Sequence, residues 1–204
     1  VLVRQRNFEG AASLLSSAIA IVSDEPDLLA TYAWCLFNLP NSDARIQDML
    51  VAVDRALAIE PKHDRAHYYK GMILQRQGKE ADALASFRKA LELDGKFGPA
   101  HNALGHLFLR RDNLDEAQKS FAKYVELHPK EANALDSQAM MHLRRGDLGL
   151  AVESARKSLE LDSKFLRGNL RLGDALPENR HAGDNLRWCV GQVEGMSLRD
   201  HQGV

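Results

Sequence analysis

Arginine recurs in this sequence at a fixed interval. Arg76, Arg110 and Arg144 stand 34 residues apart, Arg111 and Arg145 lie beside two of them, and Arg4 falls in the same register once one 38-residue unit is allowed. Guanidinium forks repeated at that spacing suit carboxylates strung along a bound segment. The same residues also suit a plainer role, as solvated cations at the negative pole of successive helices. Covalent chemistry has no comparable signature. The approach to a nucleotide loop, Gly71 to Gly78-Lys79, has the wrong spacing and is followed by Glu80 instead of Ser or Thr. There is no HExxH, no paired CxxC and no nucleophile elbow. His63 and His67, four apart near Asp64, have a spacing that can share a metal, but His63 reads better as an exposed turn residue. His67, like His101 one unit later, reads as the filler of an aromatic position. Cys189, Trp188 and His181 amount to a chance cluster. The expectation is therefore a non-enzyme with no cofactor and no metal.

The elements that position these residues follow from the same interval. Cut at Asp64, Gly98 and Ala132, the chain gives three 34-residue segments that align without a gap. A period of this size means a solenoid whose units bury their apolar faces only against neighbours. Each unit has two stretches with apolar or small residues at i, i+3, i+4 and i+7, joined by a short polar tract: helix, turn, helix. Gly71, Gly105 and Ala139 recur at position 8, and Ala83, Ala117 and Ala151 at position 20, where two helix backbones come close. Phe87 and Phe121 at position 24 are expected to fill the space between one unit and the next. Pro61 and Pro129 at position 32 stop the second helix.

Composition narrows the setting. With 27 Lys plus Arg against 28 Asp plus Glu, no bulk attraction to nucleic acid or an anionic membrane is expected. Two cysteines, Cys35 and Cys189, do not make a secreted disulfide framework, so a reducing, cytoplasmic compartment fits better. No apolar run approaches a membrane span and no leader is visible, so no membrane insertion is expected. Because Val1 opens partway through a unit, an upstream leader or domain is expected to have been removed.

The unit resembles the tetratricopeptide repeat: its pattern of a Trp-like residue, Leu-Gly, an aromatic, Ala, an aromatic, Ala and Pro is matched well over 64–131. The resemblance covers about four-fifths of the chain: an array over 1–165, with a partial repeat at 1–25, a repeat at 26–63 carrying about four extra residues near Pro40, and full repeats at 64–97, 98–131 and 132–165. Departures are Lys70 and Gln138 at position 7, Tyr124 at 27 and Ala155 at 24. The resemblance implies an all-α, right-handed superhelical solenoid of antiparallel helix pairs. In it the first helices line a concave groove that holds an extended peptide or a partner's helix. The groove set is then Trp34, Tyr68, Tyr69, Met72, Arg76, Asn102, His106, Arg110, Met140 and Arg144. Trp34, Tyr68, Tyr69 and Met72 form an aromatic patch with the composition of a binding hot spot, unless the rings pack between neighbouring first helices. The carboxylate clamp that related domains use for chaperone C-terminal tails is absent: the corresponding residues, Tyr68, Met72, Ala103, Asn133 and Ser137, include no cation.

Past Phe165 the composition changes. Leu166 to Leu176 reads as a partial capping helix, and 177–204 as an irregular tail, with a short helix over 184–195 one option and a mobile or foreign segment another. The function expected is a non-catalytic adaptor or scaffold for a protein partner, one with an acidic segment if the arginines act together. The alternative is a structural module that self-associates, for which the apolar residues around Leu14 and Leu15 give the motive.

Overall fold

The computed structural model describes residues 7–162; the expected capping helix at 166–176, the tail beyond it and Arg4 lie outside the described residues. Among these, nine α-helices and one 3₁₀ turn follow one another and there is no strand. The helices are α1 (Phe8–Ile21), α2 (Pro26–Phe37), α3 (Ile46–Ile59), α4 (Asp64–Arg76), α5 (Glu80–Leu93), α6 (Gly98–Arg110), α7 (Leu114–Leu127), α8 (Ala132–Arg145) and α9 (Leu148–Leu161). The chain divides into two compact units, Val1–Ala103 and Leu104–Val204, with the division inside α6.

Local chemistry sets the helix ends. Asn7 and Asn113, at the same register, each accept a backbone N–H through the side chain, from Gly10 at 3.0 Å and Glu116 at 3.3 Å. Pro26 opens α2, where a missing N–H costs nothing. The turns between paired helices need one left-handed residue, and it falls at one register: Gly78 (φ 75°), Asp112 (φ 56°) and Gly146 (φ 85°). Glycine adopts this conformation without steric cost, and aspartate is among the few others that tolerate it. The extra residues near Pro40 are taken up by left-handed Asn41 and the 3₁₀ turn Ser42–Arg45.

In the first unit the core forms where α1, α2, α3 and α4 meet, around Ala33, Cys35, Leu36, Met49, Val53 and Ile73. Leu29, Ala30, Ala56 and Ala66 make a second, smaller cluster. The Cys35 thiol is sealed in this core, and burial raises its pKa. In the second unit Leu107, Phe121, Ala117, Ala134 and Met141 are buried, and Ala139, Ala155 and Leu159 pack together between α8 and α9.

The small residue at position 8 makes room for a ring, not for a second backbone. A Cβ on Gly71 would sit 2.5 Å from Cε1 of Phe87, and one on Gly105 would sit 2.5 Å from Cε1 of Phe121. Each phenylalanine is therefore seated against the glycine of its own helix pair, whereas the sequence reading placed it between one pair and the next. The cause is the length of the ring, which reaches from the second helix across to the first. Alanine at position 20 does behave as the periodicity suggests, since Ala83, Ala117 and Ala151 are all fully buried.

Departures from the repeat pattern find local partners. Lys70 reaches Asp54 of the preceding pair at 2.7 Å, and Gln138 accepts from the Ser154 hydroxyl at 3.5 Å. Tyr124, buried, donates to Glu131 at 3.0 Å and accepts from Asn133 at 3.2 Å.

Candidate peptide-binding surface

In the first unit α2 and α4 bring a row of rings together. Trp34 stacks on Phe37 (5.6 Å between centroids, 11° between planes) and on Tyr69 (5.1 Å, 16°). Tyr69 leans on Tyr68 at 5.6 Å, and Tyr68 meets Phe97 edge-on at 5.2 Å and Phe87 at 5.9 Å. Trp34, Tyr68, Tyr69 and Met72 are all half-buried. Such rings join neighbouring first helices and keep part of their surface outside the core, so the two readings of the patch do not exclude one another. Burial raises the Tyr69 phenol above its ordinary range, and nearby Arg65 opposes the shift. Asn102, on the first turns of α6, is half-buried.

Arg76 closes the row. Its guanidinium lies 3.7 Å from the centroid of the Phe37 ring, and Nη1 donates to the Phe37 carbonyl at 3.1 Å and to the Ser42 hydroxyl. Asp43 stands 3.9 Å from Nε. A cation held by a π-face, two acceptors and a carboxylate is anchored to the long turn after α2. Arg144 repeats part of this arrangement in the second unit, reaching back to Asp112 in the turn of the preceding pair at 3.3 Å. Arg145 donates to Asp115 at 3.2 Å and to Gln118. Arg110 and Arg111, both exposed, also have interaction partners. Arg76 is thus a strut to the preceding helix pair, a role distinct from the two that the sequence offered, whereas Arg144 reaches the preceding pair through an exposed ion pair. His106 packs edge-on against Phe121 (5.1 Å, 79°), and Met140 is half-buried on α8.

His63 is not an exposed turn residue: it is 6% exposed and caps α4. Nδ1 accepts the Ala66 N–H at 3.3 Å, which leaves the proton on Nε2, facing Asp27 at 3.2 Å. His67 and His101 bond the carbonyls of Pro61 (3.0 Å) and Gly95 (3.1 Å), tying each helix start to the turn before it. Among the described residues no group of three or more His, Cys, Asp or Glu is placed to hold a metal ion, and no helix is long and apolar enough to cross a membrane.

Two members of the ring row were missed in the sequence. Phe37 stands three residues after Trp34, a spacing that puts both on one helix face. Phe97 lies in the turn before α6, at a register that holds Phe again at 165 but Glu at 131, so the recurrence alone does not single it out.

Known proteins bear on the fold. The tetratricopeptide repeat pattern matches residues 64–97 and again 102–164. No curated protein sequence matches the chain. Among solved structures, the chain is similar to TTC0263, a thermophilic tetratricopeptide repeat protein of Thermus thermophilus (TM-score 0.73, 19% identity, 85% of this chain and 93% of that one). It is also similar to MamA 41-end from Desulfovibrio magneticus RS-1 (0.66, 18%, 89% and 98%). A third similar structure is YrrB, described as a tetratricopeptide repeat protein with an unusual peptide-binding site (0.63, 20%, 94% and 99%). At these identities the likeness is one of fold, an all-α helical-repeat solenoid.

Proposed function

The chain belongs to the tetratricopeptide repeat family, a family of interaction scaffolds, and from that premise we propose that it is a non-catalytic adaptor whose first helices hold a peptide or helix of a partner protein. The observation that carries this reading is the row of half-buried rings on α2 and α4. Trp34, Tyr68 and Tyr69 supply large, rigid contact area at low entropic cost, and Met72 beside them adapts to an irregular partner. In the second unit His106, Arg110, Met140 and Arg144 form the corresponding inward set. The exposed Arg144–Asp112 pair is of a kind that contributes little and exchanges readily, which supports a partner with an acidic segment. Arg76 is committed to Phe37, Ser42 and Asp43 and orders the surface instead of reading the ligand.

The test is positional. A photo-crosslinking amino acid replaces either Met72, on the inward side of α4, or Lys89, exposed on α5, and the protein is irradiated in lysate of the native host. A partner trapped through position 72 and not 89 is the expected result. Trapping through both or only through 89 removes the inward face from consideration. A second reading, self-association, is favoured by the exposed apolar side chains of α1, where Leu14 is 63% and Ile21 84% exposed. A single monomeric mass by light scattering at high concentration counts against it.

A further inference from the structure

The first unit has a second concavity that the ring row does not use. Ile19 of α1, Leu29 and Tyr32 of α2, and Val51 and Ala52 of α3 line an apolar cleft of ≈ 260 Å³, with Asp48 and Arg55 at its rim. Tyr32 and Trp34 are two residues apart on α2, about 200° around the helix axis, so the cleft opens on a different side from the rings.

The fold supplies its own control. Shifted by one helix pair within the same unit, the register that gives Ile19, Leu29, Tyr32, Val51 and Ala52 gives Leu57, His67, Lys70, Ala85 and Ser86. There the Lys70–Asp54 ion pair, at 2.7 Å, lies across the equivalent position. The rim charges are the same in both, Asp48 and Arg55 in one and Asp82 and Lys89 in the other, while the apolar floor occurs only in the first. Solvation of an ordinary outer surface needs no such floor, and Val51 at the lip is 58% exposed.

We propose that this cleft is a docking site for one amphipathic helix of a partner protein. Two flanking helices make a trough that a third helix fills with its apolar face. Asp48 and Arg55 are seven residues apart on α3, about 10 Å, so they select a partner helix with opposite charges two turns apart and apolar residues between them. The antiparallel direction is favoured by the helix dipoles and places the partner's Glu N-terminal, against Arg55, and its Lys C-terminal, against Asp48. Arg55 is paired meanwhile with the exposed Asp24, at 3.2 Å, a kind of contact that exchanges readily.

The probe is a stapled helical peptide of about 15 residues, the staple offsetting the poor helicity of short chains. It carries Glu at i, Leu at i+3 and i+4, and Lys at i+7. Titrated into the ¹⁵N-labelled chain, it is expected to give saturable shifts at Ile19, Tyr32 and Val51. Val51→Glu should weaken it about tenfold, and exchanging the peptide's two charges should weaken it about threefold. On the Asp48→Lys, Arg55→Glu chain, which alters exposed residues only, the preference between the two peptides should invert. Absence of saturable shifts, shifts centred on Trp34 and Tyr69, or a preference that ignores the charge swap each overturns the proposal. So does a doubled mass in sedimentation that Val51→Glu abolishes, since the occupant is then a second copy. The Val51 and charge-exchange readouts leave the ring row unaltered, so their failure is separate from a failure of the inward surface.

Discussion

The α4–α5 and α8–α9 pairs solve one packing problem in opposite ways. In the first, Gly71 gives up its side chain and Phe87 fills the space; in the second, Ala139 keeps its methyl and Ala155 withdraws the ring. All four positions are buried. The two sites hold a shared volume, so the residue at position 8 is legible only together with the residue at position 24. The exchange has a further effect, because Phe87 also buttresses Tyr68. The pair that keeps its ring carries Tyr68 and Tyr69 on its first helix, and the pair that loses it carries Asp136 and Ser137 at the same register, while Met72 and Arg76 recur there as Met140 and Arg144.

The largest expected break in that comparison is Phe87→Ala, which leaves a ring-sized void against Gly71 and should cost about 3–5 kcal/mol in denaturant unfolding. A loss under about 1 kcal/mol would mean that the pair collapses around the gap and that the ring is dispensable. Gly71→Ala comes next, at about 1–3 kcal/mol, since a Cβ there overlaps the ring. The double variant Gly71→Ala, Phe87→Ala copies the α8–α9 solution and should lose less than the sum of the singles; strict additivity would refute the shared-volume picture. Arginines provide a finer contrast. Arg76→Ala removes a π-stacked, doubly bonded cation and should cost about 1–2 kcal/mol, whereas Arg144→Ala removes one exposed ion pair and should cost under about 0.5 kcal/mol at physiological salt. Equal losses, measured by thermal unfolding, would erase the distinction between strut and surface pair. The smallest effect is alkaline. Burial raises the Tyr69 pKa, so its stabilising share is complete below the unfolded value near 10 and disappears as pH climbs through the folded value. Tyr69→Phe should therefore flatten the fall in stability above about pH 10, and an unchanged slope would assign that fall elsewhere.

The fold was legible because the 34-residue recurrence acts on backbone packing, and backbone packing repeats. Helix pairs, the alanines at position 20 and the family follow from it directly. The surface was less legible, because side chains choose among neighbours that the period does not rank. Arg76 and Arg110 share a register, yet Arg76 meets a phenylalanine and a serine brought within reach by the long turn after α2. His63 looked like a turn residue because it precedes a helix; its Nδ1 turned it inward as a cap. The ring row was half visible, with Trp34, Tyr68 and Tyr69 identifiable by position, while Phe97 recurs in register only as Phe165 and its contact with Tyr68 depends on how the turn before α6 folds.

Cys35 offers a different kind of use. With its sulfur sealed among Ala33, Leu36 and Met49 and its ionisation suppressed by burial, it reacts with an alkylating reagent only in molecules whose first unit has opened. Mass mapping separates its peptide from that of Cys189. The rate at which label accumulates there is then a stopwatch written into the native sequence. It times the breathing of the layer beneath the rings without any engineered reporter, and a partner that clamps those rings will slow it.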